Sequence, residues 1–154
     1  MTLTGTVLRI ASSGDADAVR AVVTAAYTPW IPVIGMRPRP LEADYDGLIE
    51  AGSVTVLIPQ DLGRIAALIV LVAEPETLLI ENVAVDPEFQ GRGFGRTLLA
   101  YAEEAAKSAG LARVRLYTHR LMASNIALYE RLGYAITSRE DREGRPVVHL
   151  TKTL

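Results

Sequence analysis

Hydrophobic residues along the chain recur at two periods, one typical of helices and the other typical of strands. Val19, Val22 and Val23 fall at helical spacing near the start, and runs rich in Val, Ile and Leu follow. The pattern predicts strands over 7–10, 53–58, 64–73, 77–85, 113–118, 135–138 and 147–151, and helices over 16–26, 41–51, 94–109 and 124–132. The resulting order, β-α-α-β-β-β-α-β-α-β-β, predicts a domain of the α/β (α+β) class in which helices cover a sheet.

Residues 27–40 interrupt these periodic segments. Four prolines occur there, with Tyr27, Trp30, Gly35 and Met36 between them, so an irregular and partly apolar loop is expected. The turns at 61–63 and 74–76 are short enough to join antiparallel neighbours.

The composition narrows the function classes. A chain of 154 residues, 49% of them hydrophobic, is expected to form a single domain over residues 1–154. The formal net charge of −2 gives no basic surplus, so neither nucleic acid nor a membrane is expected as a partner. The longest apolar run, residues 65–73, is far shorter than the roughly 20 residues that span a bilayer, so a cytoplasmic protein is expected.

The absence of cysteine limits the chemistry further. No disulfide, thiolate zinc site or acyl intermediate on an enzyme thiol can form, so an acyl transfer would be direct. His119 and His149 are the only histidines, and no metal site is expected from them.

The most informative segment is VAVDPEFQGRGFG, residues 83–95. A predicted strand ends there, and a loop with Gly91, Gly93 and Gly95 leads directly into a predicted helix. Glycine permits positive φ and a close approach of the backbone to a ligand, while free amide hydrogens converge at the positive end of the helix. The segment therefore predicts a turn that binds an anion such as a pyrophosphate through main-chain amides.

Other glycine-rich loops fit this segment less well. It lacks the Gly-Lys-Ser/Thr ending of a triphosphate loop and the GxGxxG spacing of a dinucleotide fingerprint. Arg92 and Arg96 would assist the amides, so the near-neutral chain is compatible with anion binding. A tight turn without a ligand is the structural alternative.

The residues around the turn carry a family resemblance. Gln90-Gly91-Arg92-Gly93-Phe94-Gly95, after Val-Ala-Val-Asp-Pro, resembles the acyl-CoA signature of the GNAT superfamily of N-acyltransferases, Gln/Arg-x-x-Gly-x-Gly/Ala. Residues 125–134, NIALYERLGY, resemble that superfamily's helix with a tyrosine before a Gly-Phe/Tyr ending. The resemblance covers residues 79–134; over the first 50 residues it concerns only the order of elements.

The resemblance implies both a fold and an activity. The fold would be a mixed, mostly antiparallel central sheet with helices on both faces, opened between its fourth and fifth strands. The activity would be direct transfer of an acetyl group from acetyl-CoA to a primary amine in a ternary complex. Two alternatives stay open: a catalytically silent acyl-CoA-binding or sensing domain, which would not need Tyr129 and Glu81, and a nucleotide-binding module.

The resemblance also assigns roles to individual residues. Those implied to bind acetyl-CoA are Val83, Ala84, Val85, Gln90, Gly91, Arg92, Gly93, Phe94, Gly95, Arg96 and Asn125. The amide of Val83 would stabilise the oxyanion, unless it makes an ordinary ladder hydrogen bond. Tyr129 matches the tyrosine that protonates the departing CoA thiolate; packing beside Leu128 and Leu132 is the alternative.

Asn125 lies one helical turn before Tyr129, so both side chains can face the same ligand. Many members of the superfamily place the CoA-contacting asparagine seven residues before the tyrosine, where this chain has Met122. Helix capping beside Ser124 is the alternative role for Asn125.

A base is required because the attacking amine must lose a proton. Glu81 is the first candidate, since a carboxylate among apolar residues is costly unless it has a function or a partner. Strand alternation predicts that Glu81 faces the same side as Val83 and Val85. The alternative is a structural contact at the opening, and His119 is the second candidate base.

The acceptor is expected to meet the proline-rich loop. Tyr27, Trp30, Arg37, Tyr45 and His119 are predicted to bind the substrate, and Ile34 and Arg39 are placed in the same acceptor wall, because apolar and aromatic residues in an irregular segment can line a cleft. Arg37 would meet an acceptor carboxylate; a solvated arginine and a core-packed Trp30 are the alternatives. A small-molecule or peptide amine is expected as the partner, and a homodimer is left open.

Overall fold

The computed structural model describes residues 2–3 and 5–154, with side chains from residue 5 onward. Its strands are β1 (Thr2–Leu3), β2 (Thr6–Ile10), β3 (Val54–Pro59), β4 (Ala67–Ala73), β5 (Thr77–Val85), β6 (Arg113–His119), β7 (Ala135–Arg142) and β8 (Arg145–Thr153). Its helices are α1 (Ala16–Tyr27), α2 (Ile31–Ile34), α3 (Tyr45–Glu50), α4 (Phe94–Ser108) and α5 (Ala123–Arg131). Over the described residues the strands form one sheet in the order β1-β2-β3-β4-β5-β6-β8-β7.

The sheet is mostly antiparallel, as predicted. It is mixed because β5 and β6 form its parallel pair. Helices cover both faces. Leu98, Leu99 and Ala102 of α4 belong to the core on one face, and Val19 and Val23 of α1 to the core on the other. Residues 67–70 of β4 are fully buried between these layers, which explains why this strand reads as a continuous hydrophobic run.

The region between α1 and β3 is more regular than the sequence predicts. Short helical turns occupy Thr28–Trp30 and Ile31–Ile34, ending where Gly35 adopts a positive φ of 75°. The helix predicted over 41–51 begins only at Tyr45, because the Asp44 side chain caps it by accepting a hydrogen bond from the Gly47 amide at 3.1 Å. A separate 3₁₀ turn precedes it at Arg39–Glu42.

The sheet opens between β5 and β6, the fourth and fifth strands predicted from the sequence. Their parallel pairing runs from Thr77 opposite Arg113 to Ile80 opposite Leu116 and stops there, although both strands continue. On the other edge of β5 the register against β4 shifts: Leu71 lies opposite Ile80, but Val70 lies opposite Asn82. Glu81 is therefore the extra residue of a β-bulge, at the point where the strands separate.

The bulge corrects the predicted orientation of Glu81. Ile80 packs in the same core as Val83 and Val85, whereas Asn82 and Glu81 contact tyrosines of the opposite face. The extra residue reverses the alternation of side chains, so Glu81 does not share the face of Val83 and Val85.

A bidentate ion pair holds the closed half of this pair of strands. Glu74, in the turn before β5, accepts hydrogen bonds from Arg115 of β6 at 2.7 and 2.6 Å. These bonds, with a weaker contribution from Thr77, lower the pKa of Glu74 to about 2. Glu74→Gln is expected to lower the free energy of unfolding by about 1–2 kcal/mol at pH 7.

The pH dependence of that loss follows from the sign of the shift. A carboxylate whose pKa is depressed on folding stabilises the fold above its unfolded pKa, and this contribution disappears as the pH falls through the folded value. Urea unfolding at pH 7 and near pH 2 should therefore show the Gln variant approaching the parent in acid. Glu76→Gln is the matched control, since Glu76 pairs with Arg113 but is 80% exposed. A constant cost at both pH values would contradict the assignment.

Candidate active site

A cavity of about 440 Å³ lies where β5 and β6 separate. Its wall includes Ile80, Leu116 and Tyr129 from the core beneath α4, and Tyr27 and Tyr45 from the core beneath α1. Because it draws residues from both layers, the cavity passes through the sheet. One ligand can therefore enter from each face of the sheet, and the two ligands can meet at the opened edge of β5.

The opened edge of β5 presents main-chain groups to this cavity. The Asp86 amide donates to Ala66 on the β4 side at 2.9 Å, and the Val83 carbonyl accepts from the Tyr27 hydroxyl, also at 2.9 Å. Successive residues of a strand direct their main-chain groups to opposite edges, so the amides of Val83 and Val85 face the opening while that of Ala84 faces β4. The two valines thus offer free donors, whereas Ala84 belongs to the ladder.

A buried hydrogen-bond network fixes this edge. The Tyr27 hydroxyl also contacts Asn82 Oδ1, Asn82 Nδ2 donates to the Tyr45 hydroxyl at 3.1 Å, and Tyr45 donates to the Pro40 carbonyl at 2.6 Å. Burial first, then the proximity of Tyr129 and Tyr45, raises the pKa of Tyr27 well above its ordinary value. Tyr27 and Tyr45 therefore stay protonated, and they tie the wall of the cavity to the Val83 peptide.

Tyr129 is the buried residue of α5, while Leu128 and Leu132 are only half-buried. Its ring packs edge-on against Tyr134 with a centroid separation of 6.1 Å, and it lines the cavity. Burial raises the pKa of Tyr129 to about 12, so its hydroxyl keeps its proton throughout the neutral range.

Asn125 lines the same cavity one turn before Tyr129. The helix begins after Met122, and no side chain caps it, so the capping role considered for Asn125 is not observed. Met122 itself is buried against the α1 side of the core.

Glu81 lies on the α1 side of the cavity. Its Oε1 accepts a hydrogen bond from the Tyr117 hydroxyl at 2.9 Å. Burial and this hydrogen bond raise the pKa of Tyr117, because a phenolate beside a carboxylate would be repelled. Glu81 therefore carries a fixed carboxylate with one oxygen engaged by a neutral phenol.

His119 also lines the cavity but is arranged as a donor. Its Nδ1 accepts the Leu121 amide at 3.1 Å, so a neutral ring carries its proton on Nε2. Burial first, and the charges of Arg145 and Arg120 next, lower its pKa and favour this neutral form. Nε2 is buried without a hydrogen-bond partner among the described residues.

The glycine turn forms the start of α4 as predicted. Gly91 and Gly93 adopt positive φ values of 85° and 81°, and an added Cβ would meet no atom within 4 Å at either. Gly95 serves a different purpose, since its Cβ position lies 3.9 Å from a Val85 methyl group. None of the amides of residues 91–96 donates to a backbone carbonyl in the described chain. The turn therefore offers a concave set of free donors at a helix N-terminus.

The side chains of the turn are arranged around these amides. Phe94 is buried in the core, Gln90 and Arg96 are exposed, and Arg92 forms an ion pair with Asp61 at 3.1 Å. The Arg92 guanidinium also lies over the Phe94 ring at 5.2 Å. The main-chain amides of the turn are thus free, whereas the Arg92 guanidinium is already engaged by Asp61.

The structure brings some predicted acceptor residues to the cavity and leaves others outside. Tyr27, Tyr45 and His119 line it, whereas Trp30 packs on the α1 side of the core and Arg37 pairs with Glu42 at 2.5 Å on the surface. The proline-rich segment still contributes to the wall, but through other residues.

Sequence reasoning missed several residues of this wall, among them Asn82, Tyr117 and Arg145, whereas Ile34 and Arg39 of the predicted acceptor loop do line it. Tyr117 could have been found, because it follows Leu116 in a strand predicted to flank the opening. Arg145 could not, since its position depends on the long β7–β8 hairpin folding back beside β6.

The described residues contain no group of three or more His, Asp or Glu side chains that could hold a metal ion. None of their helices is both long enough and apolar enough to cross a bilayer.

Comparison with known proteins agrees with this geometry. Residues 19–134 match the family model described as acetyltransferase (GNAT) family. The chain is 35% identical over 72 residues, 47% of its length, to the ribosomal protein bS18-alanine N-acetyltransferase of Escherichia coli. It covers 49% of that relative, so it spans about half the length of the protein it matches.

Two solved structures share the fold over nearly the whole chain. The PaiA N-acetyltransferase of Thermoplasma acidophilum, in complex with coenzyme A, superimposes with a TM-score of 0.81 at 18% identity, covering 97% of this chain and 99% of that one. A GNAT family acetyltransferase of Elizabethkingia anophelis with acetyl-CoA bound gives a TM-score of 0.72 at 19% identity, covering 97% and 99%.

Proposed function

Because the chain belongs to the acetyltransferase (GNAT) family, we propose that it transfers the acetyl group of acetyl-CoA directly to a primary amine in a ternary complex. The observation that carries the proposal is the cavity through the sheet opening. It holds Tyr129 and the free edge of β5 on one side and Glu81 on the other. Both substrates can thus reach the same strand edge from opposite faces.

The residues present fit acetyl-CoA. The free amides of residues 91–96 suit the negative charge of its pyrophosphate, and the edge amides of Val83 and Val85 suit its amide-rich pantetheine arm. Asn125 lines the cavity one helical turn before Tyr129, where it can contact the same arm. When bound, acetyl-CoA supplies an activated acetyl group as a thioester.

The chain's own residues would act at three atoms during transfer. The Val83 amide stabilises the negative charge that develops on the acetyl carbonyl oxygen, since the Tyr27 network fixes it beforehand. Glu81 accepts the proton from the attacking nitrogen, and Tyr129 donates its proton to the departing sulfur. Glu81 would take one proton from the acceptor's ammonium group and later release it to solvent. As the C–N bond forms and the C–S bond breaks, Tyr129 protonates the departing sulfur, and the second proton of the nitrogen returns to the Tyr129 phenolate.

His119 is not proposed as the base. Its Nδ1 is occupied by the Leu121 amide and its Nε2 carries the proton, so no free lone pair faces the cavity. Glu81 is left as the proton acceptor among the two candidates.

Thiol release tests this proposal directly. The purified chain is supplied with acetyl-CoA and a panel of amino acids, peptides, diamines and aryl amines, and free CoA and the acetylated amine are measured together. Stoichiometric formation of both products supports transfer. Tight binding of CoA without turnover of any amine would instead support a silent acyl-CoA-binding domain, and a calorimetric preference for ATP over CoA would overturn the proposal.

The glycine turn yields a separate prediction about binding. Gly93→Ala is expected to lower the free energy of unfolding by about 1 kcal/mol, because an L-residue at φ 81° is strained. It should also weaken CoA binding about tenfold, because a shifted turn loses hydrogen bonds to charged oxygens. Calorimetric titration with CoA measures the second effect.

Gly110→Ala is the matched control for that prediction. Gly110 ends the same helix with a φ of 74° and open space around its Cβ position. It should show the same loss of stability with unchanged CoA affinity. Equal affinities in the two variants would contradict an anion-binding role for the turn.

A further inference from the structure

The α1 side of the cavity contains more than Glu81. Arg39, from the 3₁₀ turn before α3, and Arg145, at the start of β8, both line it. Arg145 is close enough to His119 to contribute to lowering its pKa, after burial. Arg39 is close enough to Tyr117 to oppose the rise in pKa that burial and Glu81 cause. The two guanidinium groups therefore lie near the two side chains that flank the reacting centre.

Neither guanidinium is neutralised by a carboxylate. No carboxylate of the described residues lies within 4.0 Å of Arg39 or Arg145, whereas Arg37 takes up Glu42 and Arg142 takes up Glu140. Arg145 donates instead to the Arg37 carbonyl at 2.8 Å, which holds its side chain in place without cancelling its charge. Glu143 also lines the cavity, at the exposed turn between β7 and β8.

We infer that the acceptor carries a carboxylate close to its reactive amine, with Arg39 and Arg145 binding that carboxylate. The inference rests on the proposed function, because Glu81 must receive the ammonium end of the same molecule. An acceptor with an ammonium group beside a carboxylate complements this cavity, since the ammonium group would face the Glu81 carboxylate and the carboxylate would face the two guanidinium groups. A diamine would place its second positive charge beside two unpaired guanidinium groups and would be repelled.

Matched pairs of acceptors test the inference. Each pair is an amine with and without its carboxylate: phenylalanine and phenethylamine, lysine and cadaverine, and a dipeptide with a C-terminal or acidic carboxylate against its amide. The carboxylate member is expected to have a kcat/KM at least tenfold higher. The amino-acid and dipeptide pairs distinguish a free amino acid from a peptide as the source of the carboxylate.

Variants then locate the binding site. Arg39→Gln and Arg145→Gln are expected to raise KM for the better carboxylate acceptor by about 10- to 100-fold. KM for acetyl-CoA and kcat/KM for the decarboxylated partner should remain unchanged. Arg139→Gln is the matched control, because Arg139 is exposed on β7 and does not line the cavity.

The outcomes separate this inference from the proposal beneath it. Acetylation of decarboxylated amines as fast as their carboxylate partners would overturn the inference and leave acetyl transfer standing. Equal losses for both members of a pair in the arginine variants would overturn it too, since a structural role predicts that result. Failure to acetylate any amine while binding CoA would overturn both.

Discussion

Tyr129→Phe is expected to lower kcat by about 100-fold or more, with KM for acetyl-CoA nearly unchanged. Burial raises the pKa of Tyr129 to about 12, so the phenol retains the proton that the departing sulfur needs at every pH below that value. A thiolate leaving into the same cavity is desolvated as well, which makes it a stronger proton acceptor. The phenyl ring preserves the packing, so the loss should appear in the chemical step.

Tyr134→Phe is the matched control for this change. Tyr134 is buried, touches the Tyr129 ring edge-on, and its hydroxyl has no hydrogen-bond partner among the described residues. Removing that hydroxyl should leave kcat unchanged and keep or slightly raise stability. Steady-state kinetics and urea unfolding of both variants distinguish the roles. Similar kcat values for the two variants would show that Tyr129 serves packing alone.

The features that sequence predicts well here are local ones. The bounds of β5, 77–85, and the start of α4 at Phe94 agree with the structure, because hydrophobic periodicity and the glycine turn decide them within a few residues. The positive φ at Gly91 and Gly93 follows from the same short-range chemistry. Tyr129 and Asn125 share one wall because helical spacing alone places them there.

The features that sequence does not reveal depend on distant pairings. The bulge at Glu81 exists only because β4 shifts register against β5, and it moves Glu81 to the face opposite the predicted one. Arg39 has no carboxylate partner among the described residues, since Glu42 forms its ion pair with Arg37 instead. Trp30, in the turn before α2, packs partly buried against the α1 side of the core rather than lining the cavity.

The buried tyrosines give the opening its rigidity. Tyr27, Asn82 and Tyr45 form a continuous network from the Val83 carbonyl to the Pro40 carbonyl, all within the layer that meets the acceptor. The segment that would bind the acceptor and the strand edge that would bind the thioester are thereby joined through hydrogen bonds. An oxyanion donor gains most when it is fixed before charge develops, and this network fixes it.

Glu81→Gln is expected to lower kcat/KM by about 100-fold at pH 7, and the deficit should shrink as the pH rises. The carboxylate is needed because the amine is protonated at neutral pH, with a pKa of about 8 for an α-amine and about 10.4 for a lysine-type amine. Above that pKa the neutral amine is supplied by solution, so the base contributes less. Rate profiles of both proteins from pH 6 to pH 10, with a peptide α-amine as the acceptor, measure the effect.

Glu42→Gln is the matched control for Glu81→Gln, since it removes the same charge from the same cavity wall. Glu42 is engaged by Arg37 on the surface side, so its loss should change kcat/KM only slightly and equally at every pH. Glu81 differs from it in lying at the bulge, where its carboxylate faces the opened strand edge beside Tyr117. A deficit in the Glu81 variant that stays constant through the pKa of the amine would mean that the carboxylate only positions Tyr117 or the acceptor. A deficit that disappears in alkali would identify Glu81 as the group that takes the proton.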